Sequence, residues 1–352
     1  MPAPKRRRSV VRWVAGAILA AGLVGGAVAL GDPDESEHAH AGAHSALAQI
    51  NAGGTGGACG PATSATIGAV DAAVARKIYQ GELTGREVGE DVAHVANSPE
   101  LASAVASGNT SAVYAVVHQI VYTPHWHIVR LRVVKNGKVL ADVGGPYIIA
   151  PLSGALRQNG VKVGSFVMSV QDDVGYVKLV TRFEGVPIDL YGGPPPRPAS
   201  KFLMGTLQPA PALPSDGATV KVHGGSFFTR VSQVNAMPNG KLHVALLVPA
   251  PSKALAARSC ATVRSQAWGG IVKHVASRFS PLASQYQDFV GTLEGSTGGL
   301  AYVREGSLQV AGLNAGPRHL PRSGRVMYHG RPWQVFSWEP HPPARVYFLA
   351  PS

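Results

Sequence analysis

Two stretches of the chain say nearly the same thing, and a chain that repeats itself is restricted to folds in which one unit is built twice. Residues 219–249 read TVKVHGGSFFTRVSQVNAMPNGKLHVALLVP, and residues 325–351 read RVMYHGRPWQVFSWEPHPPARVYFLAP. Each opens on a short β-branched or aromatic run and reaches His-Gly, at His223-Gly224 and His329-Gly330. An aromatic follows (Phe227, Trp333), then a turn marked by proline, then an apolar run closing on Leu-x-Pro. Runs of this composition bounded by Gly and Pro read as antiparallel strands. The same phrase written about a hundred residues apart predicts an internal duplication.

Other landmarks recur in order. The hairpin signal LRVVKNGKVLADVGG, with Asn136-Gly137 as its turn, is mirrored by LAYVREGSLQVAG with Gly306. GPYIIAPLSG is echoed by GPRHLPRSG. On this reading the second copy is shorter and lacks a counterpart to residues 161–190.

Each copy begins with helices. Ile67, Val70, Val74 and Ile78 form a helical stripe, with Asp71 in the first turn and Arg76-Lys77 in the last, as the helix dipole favours. Thr84 to Glu87 reads as a capping box ahead of Val88, Val92 and Val95. Ser98-Pro99 starts a short helix that Gly108 stops. Val113, Val116, Val117, Ile120 and Val121 make another, ended by Pro124. GSFVMSVQDDVGYVKLVTRFEG reads as a hairpin turning at Asp172-Asp173-Val174-Gly175, and GGPPPRP as a surface excursion. From Ser259 onward CATVRSQAWGGIVKHVASRF and PLASQYQDFVGTL read as helices. The fold class expected is α+β: two modules, each helices followed by a mostly antiparallel sheet.

The start of the chain is a targeting signal. KRRR precedes an uncharged apolar run from Trp13 to Leu30, and acidic DPDESE follows. Positive charge before an apolar span keeps the N-terminus inside and sends the remainder across the membrane. The run is about 18 residues, at the short end for a spanning helix. Two readings stand: an uncleaved single-pass anchor, or a removable signal peptide cut near Ala27-Val28-Ala29. Either leaves the bulk of the protein extracytoplasmic, at the cell membrane or secreted. The boundaries read as a basic tail 1–12, a membrane segment 13–30, a Gly-rich flexible linker 31–60, a first domain 61–250 and a shorter second domain 251–352.

Hydrophobic residues make up 45% and charged ones 15%, a globular composition. The formal charge is +12, but Lys5, Arg6, Arg7, Arg8 and Arg12 concentrate it in the leader, and no basic stripe suits nucleic acid. Cys59 and Cys260 are the two cysteines. Each stands just before its copy's first helix, and in an oxidising compartment a bridge between them would staple the copies together. His38, His40 and His44 lie in the linker and read as a solvated tether, so no metal is expected there.

The anchor, the helices-first order and the stretches YTPHWHIVRLRVVKNGKVLADVGGPYIIAP and VGSFVMSVQDDVGYVKLVTR resemble the bacterial Cache sensor domains, extracytoplasmic relatives of PAS domains. The resemblance implies two Cache-like modules in tandem and a pocket on one sheet face for a small solute, an organic acid or amino acid. It departs from a Cache receptor in its flexible linker and its short cytoplasmic tail, which imply a binding module that signals only through a separate protein.

Strand alternation then names a candidate face. Trp126, Arg130 and Arg132 share one side of the strand HWHIVRLRVV, and Tyr176, Lys178 and Arg182 share one side of the later hairpin. With Tyr147 closing over them, these cations and aromatics suit a carboxylate, which guanidinium binds in fork geometry. His125 and His127 share the other face and read as hydrogen-bonded core. No G-x-S-x-G, S-x-x-K, H-E-x-x-H or P-loop signature occurs, so the chain is expected to be non-catalytic and to need no cofactor. The alternative is an exported structural or protein-docking module without a small ligand.

Overall fold

The computed structural model describes residues 59–351, apart from residues 125, 146, 193–199, 239, 279–285, 288–289, 292–293, 295–298, 313–315 and 318. The apolar segment Trp13 to Leu30, the linker with its histidines, His125 and most of the Pro-rich and PLASQYQDFVGTL stretches lie outside the described residues. No helix among the described residues is long and apolar enough to cross a membrane.

Helices come first. A single turn at Gly60–Ala62 leads into α1 (Thr63–Thr84), followed by α2 (Arg86–Ala96), α3 (Pro99–Ser107) and α4 (Thr110–Tyr122). Their ends obey local chemistry. Ser98 caps α3 by accepting the Leu101 N–H at 3.2 Å, and Gly108 closes it at φ 73°. Asn109 caps α4 by accepting the Ala112 N–H at 3.1 Å. The capping box expected at Thr84 is not formed, because Gly85 occupies the cap position of α2 and offers no side chain.

Strands β1 (Arg130–Lys135), β2 (Lys138–Gly144), β4 (Leu152–Gln158) and β5 (Val161–Ser169) form an antiparallel sheet in the order β2-β1-β5-β4. Asn136-Gly137 and Asn159-Gly160 turn its two hairpins with positive φ at both residues, the backbone twist a two-residue hairpin needs. Leu131, Val133, Leu156, Phe166 and Met168 of this sheet pack with Val95, Leu101, Val105, Val113 and Val117 of α2–α4 in one apolar cluster.

Between β2 and β4 the chain dips into a second sheet through β3 (Ile148–Ile149), and after β5 it returns there through β6 (Gln171–Asp172). The next segment corrects the sequence reading. Asp173–Glu184 is a helix, α5, rather than the second arm of a hairpin. Val177, Leu179 and Phe183 fit a strand's alternation, but Tyr176, Val177, Val180 and Phe183 make a helical stripe that is buried. Asp172 caps it by accepting the Gly175 N–H at 2.6 Å, so the Asp-Asp pair starts a helix instead of turning a hairpin.

The second sheet adds β7 (Ile188–Tyr191), β8 (Phe202–Gly205), β9 (Thr219–Val222), β10 (Gly225–Met237) and β11 (Gly240–Pro249). A short helix α6 (Lys253–Ala256) leads to α7 (Cys260–Arg278). The third sheet holds β12 (Leu300–Glu305), β13 (Leu308–Ala311), β14 (Ser323–Tyr328), β15 (Arg331–His341) and β16 (Ala344–Pro351).

The second and third sheets share one connectivity. Five strands of the second run β8-β7-β11-β10-β9, and the third runs β13-β12-β16-β15-β14. The two repeated phrases are β9-β10-β11 and β14-β15-β16. Each first turn is His-Gly at positive φ, 50° and 77° at His223-Gly224, 48° and 71° at His329-Gly330. Each second turn holds a cis X-Pro bond, Met237-Pro238 and Pro342-Pro343. The strand order therefore matches β12–β13 with β7–β8, not with β1–β2.

Helices α1 and α5 pack on the second sheet, α7 packs on the third, and the three helices pack on one another. One apolar cluster runs from the second sheet through the helices to the third, from Leu190, Leu242 and Leu246 through Val74, Ile78, Phe183, Trp268 and Ile271 to Val303, Val346 and Phe348. A disulfide joins Cys59 to Cys260 with their Cα atoms 4.6 Å apart, so α1 and α7 set out from one covalent point.

Candidate functional site

The residues singled out as an anion-binding face do not assemble. Arg130 and Arg132 lie on the outward side of β1, but both guanidiniums are committed to Asp142 of β2. Arg130 grips both carboxylate oxygens at 2.7 and 2.8 Å, and Arg132 donates twice to Oδ2 at 2.9 and 2.7 Å. Arg130 also donates to the Gly145 carbonyl at 3.0 Å, which ties down the chain after β2. Partial burial would raise the Asp142 pKa, yet hydrogen bonds and charge from the two arginines hold it below the usual carboxylate range. The cluster is a structural clamp across the hairpin.

Tyr176, Lys178 and Arg182 sit on α5 instead of a strand, and they diverge. Tyr176 is buried against α1, donating to the Ala75 carbonyl at 3.3 Å, while Lys178 and Arg182 are exposed. Tyr147 lies where the chain leaves the first sheet for β3, a strand of the second.

Trp126 stands at a concavity. After α4 ends, the chain turns with the Trp126 N–H on the Thr123 carbonyl at 3.2 Å. The indole is thereby laid flat on the His94 ring of α2, centroids 3.9 Å apart and planes 13° from parallel. The stack borders a groove of about 370 Å³ lined by Glu90, Ala93, His94, Asn97, Ser98, Pro99, Glu100 and Trp126. The α2–α3 corner builds the rest of it. Gly85 and Asn97 bound α2, Ser98 caps α3, and Pro99 and Glu100 occupy the first turn where the missing N–H and the negative charge are tolerated best.

The electrostatics of the groove are acidic in a chain of net charge +12. Glu90 and Glu100 stand on its wall, and Glu87 and Asp91 belong to the same helix. Asp91 is buried, which raises its pKa, and Glu87 adds to the rise. The His127 and His94 rings and a backbone hydrogen bond from His127 oppose it. Carboxylates beside an indole face suit a cation, through charge pairing and the negative ring face. Among the described residues no group of three or more His, Cys, Asp or Glu side chains is arranged to hold a metal ion.

Comparisons with protein-family models, with curated proteins and with solved structures each returned no match.

Proposed function

We propose that this chain is a non-catalytic binding module, tethered to the membrane or secreted, that recognises a cationic group in the groove between α2 and α3. The observation that carries the reading is the Trp126–His94 stack bordered by Glu90 and Glu100. Its volume of about 370 Å³ lies in the range of small-molecule sites. The sequence favoured an anionic solute. The commitment of Arg130 and Arg132 to Asp142 moves the reading to a solute bearing an ammonium or guanidinium group.

The architecture is read as two tandem copies of one helix-and-sheet unit, the first interrupted by the α2–β5 unit that holds the groove. The shared strand order supports the duplication. The order of helices followed by an antiparallel sheet in residues 86–169 supports keeping the Cache-like comparison for the interposed unit.

A second reading has a specific observation behind it. The groove is open to solvent, and its walls come from the corner between α2 and α3, so it also admits a lysine or arginine side chain on a docking partner. Titrating the protein with a diamine, free arginine and a lysine-rich peptide, followed by the Trp126 indole NMR resonance, separates the two. Saturable shifts with the small amines, weakened in Glu90→Gln with Glu100→Gln, support solute binding. Shifts with the peptide alone support docking. Silence from all three ligands in a folded protein overturns the cationic assignment.

A further inference from the structure

Helix α4 reads TSAVYAVVHQIVY and carries no lysine, arginine, aspartate or glutamate in its 13 residues. One side of it is core, with Val113, Val117 and Ile120 buried. The other side reaches solvent and holds three rings four residues apart, Tyr114, His118 and Tyr122. Tyr114 is 52% exposed and Tyr122 61%. The rings touch at a tilt rather than stacking. Tyr114 and His118 have centroids 6.0 Å apart with planes at 39°, and His118 and Tyr122 have centroids 4.5 Å apart with planes at 47°. Ring face therefore stays open to solvent along the whole row.

Eight residues of helix advance about 12 Å, so the rings form a ridge of about that length. Ser111, Ala115 and Gln119 are exposed beside them and add only small or neutral hydrogen-bonding groups. This chemistry narrows the partner. Nucleic acid and anionic membrane both call for lysine or arginine, which the helix lacks. A stable protein partner covers about 800 Å² around a buried centre, and one convex row of rings parted by serine and alanine offers no such centre. A neutral sugar polymer fits better. The flat face of a pyranose is made of C–H groups, faintly positive, which meet the negative face of an aromatic ring. Its rim carries neutral hydroxyls that pair with phenol, imidazole and amide groups. A linear glycan repeats both features along its length, as the ridge does.

We propose that the Tyr114–His118–Tyr122 row on α4 is a docking ridge for a neutral polysaccharide chain, laid along the helix with its sugar rings on the tyrosine faces. The ridge shares no residue with the groove at Trp126 and does not depend on what binds there. Its sugar contacts are made by side chains of one rigid helix, capped by Asn109 and backed by the core, so little ordering is needed on binding.

Titrating the purified full-length chain with cellohexaose and with chitohexaose, followed by the His118 and tyrosine ring NMR resonances, tests this. Saturable shifts with at least one of the two are expected. Affinity should fall about tenfold or more in Tyr114→Ala with Tyr122→Ala, which removes two ring contacts. Both tyrosines are more than half exposed, so the variant should keep the wild-type urea midpoint, and that measurement shows its fold is intact. No shift from either sugar in the wild type, shifts that persist unchanged in the variant, or tighter binding of the charged sugar hexagalacturonate overturns the proposal. So does wild-type self-association in analytical ultracentrifugation that the variant loses, because a second copy then occupies the ridge.

Discussion

Replacing both cysteines with serine tests how the two halves are held together. The bridge joins residues 201 apart, and in the chain-entropy account, closing a loop of that length restricts the unfolded chain by about 5 kcal/mol. Local losses should be small. Cys59 is 2% exposed, but its sulfur lies 3.3 Å from the Thr66 hydroxyl, which would partner a serine at the same place. The α1–α7 contact is also maintained by Val74, Trp268 and Ile271 in the shared core. Guanidinium unfolding of oxidised wild type, reduced wild type and Cys59→Ser with Cys260→Ser measures the difference. The last two should coincide, each about 4–5 kcal/mol below the first, with a larger m-value because the uncrosslinked chain exposes more surface. A loss below about 1 kcal/mol, with thiol titration showing the bridge intact in the oxidised protein, would refute the reasoning. The unfolded chain would then already hold the α1 and α7 regions together.

Asp142→Ala should cost about 1–3 kcal/mol, because it leaves Arg130 and Arg132 facing each other without their common acceptor. Since the arginines depress the Asp142 pKa, its contribution is present above the ordinary carboxylate range and disappears as pH falls through the depressed value. Urea midpoints of wild type and variant should therefore converge as the pH falls below the ordinary carboxylate range. Gly205→Ala should destabilise by about 2 kcal/mol or more in thermal unfolding. An added Cβ would meet Asp189 Oδ1 at 2.0 Å and the backbone of Ile188 and Asp189 at 2.7 Å, atoms that cannot move aside without opening β7 from β8.

What was legible in the sequence was local. Ser98, Gly108 and the Asn136-Gly137 turn act on backbone within a few residues, so their composition suffices to place them. The repeated phrase was legible because its turns and strands lie in one run of chain. Its wider correspondences were not. They rest on strand order, and β12 finds its counterpart in β7 only when each is seen beside the long hairpin of its own sheet. Helix α5 was missed because its apolar residues satisfy both periods, and the Asp172 cap decides between them. The apolar stripe opening at Ile67 makes Asp71 a first-turn acid in sequence. Four small polar or alanine residues, Thr63 to Thr66, extend α1 backward and carry Asp71 into its buried middle. The groove needed residues 90–100 and Trp126 together, and His94 carried no sign in sequence that an indole would cover it.

The interposed α2–β5 unit also sets an order of events. Its apolar cluster is complete by Met168, so a chain emerging from its N-terminus can finish this part early. Helix α1 has no such option, since its partner α5 is made only at residues 173–184 and β10, β11 and α7 only at residues 225–278. The first helix of the described residues is thus among the last to find its place, and much of its apolar side stays uncovered while most of the chain is synthesised. Contacts so distant in sequence form slowly, because long loops must close before they reward the chain. The α2–α3 corner can be ready well before the scaffold that carries it.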